Sequence, residues 1–298
     1  MGSSQIKGIL MFCICLICII VLFCVLYSRM KYNTPKNEAP IVKNPSAPNE
    51  QKSCPGIETL LDCKCTRFDA GSSEIEILGA YKEAFERGKQ EGFVPIIIVT
   101  DDDSLLVESI LYNSGCDDGV DIEKISDYRK DLLSSPVGDG QSVLAERKTA
   151  FEMEDEWEVW LEEIAGAMEG GYANNEFVSI RDFQTKKTLP AVLAEIPVEN
   201  PWEVFAYLPF GGWNACPEAS EIMAVAKYWY EKYGAVPVVI TSDVLEFSVS
   251  EPVSESDAMA LAEEQFYFCN DIVDQGVGTI GALADTLRQS KVWYFWWD

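Results

Sequence analysis

Apolar positions along this chain fall into three kinds of run. The first is unbroken: residues 8–27 read GILMFCICLICIIVLFCVLY, without a charge or a proline. Twenty helical residues at about 1.5 Å each cover the roughly 30 Å hydrocarbon layer of a bilayer. No polar stripe marks a side for water, so a single transmembrane helix is expected rather than a core helix. A cleaved leader would end in a small-x-small site, whereas Ser28-Arg29-Met30-Lys31 follows. Beyond it, Pro35, Pro40, Pro45 and Pro48 punctuate a polar stretch. Proline lacks the donor that helices and central strands need, so an extended tether is predicted. The anchor is placed at residues 1–32 and the tether at 33–70.

The second kind of run recurs at helical spacing and the third is short and β-branched. Helices are predicted over 80–90, from 104 to 112, and over 151–168, 218–233, 256–269 and 280–289. Strands are predicted over 96–99, 191–196, 203–208, 236–241, 245–249 and the aromatic close 292–297. One pattern occurs twice. Gly92-Phe93-Val94-Pro95-Ile96-Ile97-Ile98 and Gly234-Ala235-Val236-Pro237-Val238-Val239-Ile240 each follow a helix rich in Tyr, Glu and Lys. Each is followed at the same offset by an acid, Asp101 or Asp243. Glycine ends the helix, and proline stiffens entry into the strand. A reused helix-to-strand unit feeding a parallel or mixed sheet is the simplest reading. The predicted class is therefore α/β or α+β, a mixed sheet with flanking helices preceded by one transmembrane helix. An acidic α/β region is drawn over 71–189 and a C-terminal domain over 190–298.

Charge narrows the partners. Of 298 residues, 23 are basic and 49 acidic, for a net charge of -26. Five of the basic residues but one acid precede Asn44. The body therefore repels nucleic acid and anionic lipid and favours a basic protein partner, a cation, or plain solubility. Arg29, Lys31, Lys36 and Lys43 outnumber the charge before the apolar run, which leans the body toward the cytoplasmic side of a cell membrane.

The chain has no histidine. Ser-His-Asp and Cys-His catalysis and His-ligated zinc are excluded. Two candidate sites remain. In Asn200-Pro201-Trp202-Glu203-Val204-Phe205-Ala206-Tyr207-Leu208-Pro209-Phe210-Gly211-Gly212-Trp213-Asn214-Ala215-Cys216-Pro217, aromatics surround a Gly-Gly turn. Trp202, Tyr207, Phe210, Gly211, Gly212, Trp213, Asn214 and Cys216 either line a binding face or belong to the core around a turn. Cys216 would serve as a nucleophile only with a lowered pKa, and Glu218 and Glu221 oppose that. The second candidate is a divalent-cation site on the strand-end acids Asp101, Asp103 and Asp243, against a solvated turn as the plain alternative.

The segments Leu193-Ala194-Glu195-Ile196-Pro197, NPWEVFAYLPFGGWNACP and Ala226-Lys227-Tyr228-Trp229-Tyr230-Glu231-Lys232-Tyr233-Gly234 resemble a known family. So do Asp271-Ile272-Val273-Asp274-Gln275-Gly276 and the terminal Val292-Trp293-Tyr294-Phe295-Trp296-Trp297-Asp298. That family is the uncharacterised, mainly bacterial one catalogued as domain of unknown function 4253. The resemblance covers 190–298, with a weaker upstream match from about Glu91, and implies no activity. The leading functional reading is a membrane-anchored, non-enzymatic protein-binding module that needs no cofactor, with an immunity-like role by analogy with small acidic antitoxins. The alternative is a divalent-metal-dependent hydrolase.

Overall fold

The computed structural model describes residues 56–298 except 117, 155 and 156. The apolar run 8–27 and the proline-punctuated stretch 33–53 lie outside the described residues. Among the described residues, no helix is long and apolar enough to cross a membrane.

Six strands form one mixed sheet. They are β1 (Lys64–Phe68), β2 (Val94–Val99), β3 (Ala191–Ile196), β4 (Val236–Ile240), β5 (Val244–Ser248) and β6 (Val292–Trp296), in spatial order β1-β3-β2-β4-β5-β6. β2 and β4 run parallel, with Ile97 opposite Val239 and Ile98 opposite Ile240. Every other neighbouring pair is antiparallel. The repeated Gly-x-Val-Pro units are thus the two parallel strands, side by side at the centre of the sheet. Gly92 and Gly234 end the preceding helices, α2 (Glu74–Glu91) and α7 (Ala219–Tyr233), in the left-handed conformation at φ 75° and 68°. β2, β3 and β4 are buried along their whole length, which is why β2 and β4 read as continuous apolar runs and β3 does so up to Glu195.

The two helices that feed the parallel strands cover opposite faces. Ile77 and Ala84 of α2 pack with Ile97, Val99, Leu193 and Val239 on one side. Ile222, Met223, Val225 and Trp229 of α7 pack with Ile96, Ile98, Leu245 and Phe247 on the other. This second face carries the larger core, centred on Trp229. The indole stacks on Phe295 at 5.4 Å and meets Phe268 and Trp293 edge-on. The aromatic close of the chain is therefore core strand, as its pattern predicts.

Several predicted elements differ. Residues 203–208 are not a strand: Pro201–Ala206 is a 3-10 helix. Pro201 sets the first helical φ, and the Glu203 carboxylate accepts from the Asn200 amide at 2.9 Å, so the local turn outcompetes a ladder. The helix predicted over 151–168 is the end of one helix and all of another, α5 (Gly140–Glu152) and α6 (Trp157–Ala165). Between α3 (Ser104–Asn113) and α5 lies α4 (Ile122–Ser134), not predicted; the Asp121 carboxylate caps it, accepting from the amides of Glu123 and Lys124. Residues 57–68, placed from sequence at the end of the tether, belong to the folded body. There α1 (Glu58–Leu61) buries Leu60 and Leu61, and β1 pairs with β3. The border drawn at 189/190 runs between β2 and β3, which pair along six residues. The remaining helices are α8 (Glu255–Phe268) and α9 (Ile280–Leu287), joined through a π-helical turn, Ile272–Val277.

Candidate functional site

In open sheets, the loops leaving the carboxyl ends of parallel strands splay apart and leave a crevice. Here β2 and β4 end side by side, and a cavity of about 640 Å³ opens there. Asp101 and Asp102 enter its wall after β2; Thr241, Ser242 and Asp243 enter after β4. Asp271 and Gly276 of the π-helical region, Leu283 and Leu287 of α9 and Tyr294 and Trp296 of β6 continue the wall.

Residues 166–190 cross this region without regular structure and form a strap. Its backbone is tied down by side chains from elsewhere in the chain. The Gly171 amide donates to Asp285 at 2.8 Å and the Asn174 amide to Ser290 Oγ at 2.8 Å. The Val178 and Ser179 amides donate to the two carboxylate oxygens of Glu246 at 2.9 and 3.3 Å. At the far end, the Gly71 amide donates to the Thr188 carbonyl. The strap presents apolar side chains outward along the cavity rim: Phe183 is 85% exposed and Tyr172 68%. Lys186 sits 4.3 Å from the Phe183 ring centre.

The electrostatics of this wall are acidic. Asp101, Asp102, Asp182, Asp243 and Asp271 line it, against Arg181 and Lys186. Arg181 is already paired with Glu74 and Glu176. Hydrogen bonds from Ser104 hold the Asp102 carboxyl below its usual range. Behind the wall, Glu246 of β5 is completely buried. Burial pushes its carboxyl up to about 7, against the hydrogen bonds from Ser179 and Val178 and the Arg181 guanidinium. Two wall residues, Gln265 and Trp293, carry buried donors, Nε2 and Nε1, that find no acceptor among the described residues. A buried donor without a partner costs about 1–3 kcal/mol, so each calls for water or a ligand acceptor.

The strand-end acids separate. Asp101 and Asp243 share the cavity, but Asp103 turns away and accepts from the Ile57 amide at 3.0 Å. Asp243 is also engaged, accepting from Thr241 Oγ1 at 2.9 Å and from the Trp296 indole at 3.1 Å. Among the described residues, no three Cys, Asp or Glu side chains gather as a metal-holding group.

The aromatic turn does not line this cavity and sits inside the larger core. Trp202, Phe210 and Cys216 are buried. The Phe210 ring packs on Trp213 at 4.7 Å and on Trp297 at 5.5 Å, and Trp202 packs on Tyr230. Tyr207 lies under the Arg129 guanidinium. Gly211 has φ 97°, and a Cβ there would fall 1.9 Å from the Pro217 carbonyl, so this glycine serves close backbone approach. Gly212 donates its amide to the same carbonyl, and Asn214 reaches the carbonyl of Asp298. Burial, with the nearby Cys269 thiol adding to it, pushes the Cys216 thiol far up, away from a nucleophile's range.

Residues 192–298 match the family model described as Domain of unknown function (DUF4253). No curated protein and no solved structure matches the chain. The DUF4253 segment contains β4, β5 and β6 and so supplies Asp243, Glu246, Gln265 and Trp296 to the cavity region. The β2 acids and the strap lie upstream of it. The cavity is thus completed only where the DUF4253 segment meets the preceding residues. Sequence reasoning missed the strap, which has no period to detect. It also missed Glu246, which alternates with Leu245 and Phe247 and so reads as a solvent-facing strand position.

Proposed function

We propose that this protein is a binding module tethered to a membrane by residues 8–27, and that the strap-covered cavity receives a basic segment of a protein partner. The observation that carries the reading is the pairing of an acidic wall with an exposed aromatic rim at the carboxyl ends of β2 and β4. Acids attract and orient a Lys or Arg side chain. The Tyr172 ring offers apolar surface and a cation-binding face to its neighbours, and Phe183, whose ring already carries Lys186, adds apolar surface.

Titration of the full-length protein in detergent micelles with a Lys-Phe alternating peptide, followed by tryptophan fluorescence, tests this. Saturable binding is expected, weakening at least tenfold on raising salt from about 0.05 to 0.5 M. A Glu-Phe peptide should not bind, and Phe183→Ala should weaken the Lys-Phe complex several-fold without moving Tm. Equal, salt-insensitive binding of both peptides, or of neither, would overturn the reading. The metal-dependent hydrolase retains two of its three acids at this cavity, Asp101 and Asp243. It requires Tm to rise with magnesium, manganese or calcium, and that rise to vanish in Asp101→Asn.

A further inference from the structure

A pair of thiols lies far from the cavity, at the opposite edge of the sheet. Asp62, in the left-handed conformation at φ 50°, ends α1 and bends the chain just before β1. The bend brings Cys63 Sγ to 4.0 Å from Cys65 Sγ. β1 is an edge strand, paired on one side only with β3, and both cysteines are half-buried, within reach of solvent. Cys116, Cys216 and Cys269 are buried.

From this juxtaposition we infer that Cys63 and Cys65 form a redox-active dithiol that closes reversibly to a disulfide by exchange with an incoming disulfide. Bonding at about 2.05 Å requires the sulfurs to close by about 2 Å, within reach of side-chain rotation at two half-exposed positions. Only Lys64 separates the cysteines, so the ring is small and strained. Strained, accessible disulfides are the labile, exchanging ones rather than the structural ones.

The two sulfurs have different roles. The hydrogen bond from Cys63 holds the Cys65 thiol below its usual range, with the Arg67 guanidinium adding, against burial and the Glu58 carboxylate. The Cys63 thiol is pushed up by that hydrogen bond and by burial, while Arg129 favours its thiolate. With Cys63 donating the shared hydrogen bond, Cys65 Sγ is the attacking thiolate. It bonds to one sulfur of R–S–S–R′, and R′S⁻ leaves and takes up the proton released by Cys65. Cys63 then loses its proton, attacks Cys65 Sγ and displaces RS⁻, which takes up that proton. Two electrons pass from the dithiol to the incoming disulfide, which departs as two thiols.

The test uses the full-length Cys54→Ser protein in detergent, equilibrated with glutathione and glutathione disulfide over a range of ratios. After acid quench and alkylation, trypsin separates Cys63 from Cys65 at Lys64, so a 63–65 disulfide appears as a linked peptide pair. That pair should rise with the disulfide fraction and vanish with dithiothreitol, while Cys116, Cys216 and Cys269 stay fully alkylatable after unfolding. Cys63→Ser and Cys65→Ser should each stop at a glutathione mixed disulfide on the remaining thiol and yield no linked pair. The inference fails if no linked pair forms at the most oxidising ratio. It fails equally if oxidation stops at a mixed disulfide with both cysteines present.

Discussion

Replacing Glu246 with Gln tests whether a buried charge under the strap sets the pH response of this fold. The carboxyl rises from 4.5 to about 7 on folding because β5 carries it into the interior. At about 1.4 kcal/mol per pH unit, the charged form is disfavoured in the folded state by about 3 kcal/mol. Below pH 4.5 both states hold the proton, and the group is neutral in its effect. Between 4.5 and 7 the folded protein retains a proton that the unfolded chain releases, so stability falls as pH rises. Above 7 the full penalty stands. Arg181 and Tyr294 are the ionisable neighbours, and both have their midpoints pushed up, away from this window.

Glutamine cannot titrate, but it has one acceptor for two amide donors, Val178 and Ser179. The donor left facing its NH₂ costs about 1–3 kcal/mol. That cost does not change with pH, so it offsets the variant's stability without altering the slope. Urea unfolding of both proteins, followed by tryptophan fluorescence from pH 5.5 to 8, isolates the effect. The stability of Glu246→Gln minus that of the parent should rise by about 2 kcal/mol across this range, since part of the titration lies below it. A difference flat to within about 0.5 kcal/mol would refute the burial argument, whatever the absolute stabilities.

Three further outcomes are expected. Gly211→Ala should destabilise by about 3 kcal/mol or more, read by urea midpoint, because its Cβ meets the Pro217 carbonyl and the backbone is left-handed. Asp121→Ala should cost about 1 kcal/mol by thermal melting, as the cap of α4 loses its acceptor for two amides. Arg87→Met should lower the urea midpoint at pH 7, because Glu195 keeps only Lys64 as its ionic partner. Burial alone would raise the Glu195 carboxyl, and the hydrogen bonds from Arg87 and Lys64 reverse that and leave it below 4.5. The stabilising contribution is therefore present above pH 4.5 and disappears as pH falls through the lowered midpoint, so the variant and parent should converge in acid.

What could be read in advance follows from where each signal originates. β2 and β4, and β3 up to Glu195, announce themselves because strands buried on both faces are apolar, a demand visible in single residues. β1 carries no such mark: Lys64-Cys65-Thr66-Arg67 lies at an edge, mostly exposed, and becomes a strand by pairing with β3 more than 120 residues later. The aromatic turn shows a related limit. Composition reveals its rings and glycines but not the side they face, and Trp297 together with Phe210 settles that by packing across 87 residues.

The candidate cavity divides in the same way. Asp101 and Asp243 hold one offset from a repeated strand, so parallel pairing of the repeats must carry both to one place. Only adjacency of β2 and β4 was needed beyond the sequence pattern. Asp103, two residues further along, escapes that logic because the chain has by then left the strand. Its neighbour becomes the Ile57 amide, supplied by a segment whose participation in the fold nothing local foretells. The strap is the extreme case. Residues 166–190 hold their path through acceptors on Glu246, Asp285 and Ser290, each about 70 to 120 residues away along the chain. Such a segment has no internal period for a pattern to reveal, and its geometry exists only once the sheet behind it has formed.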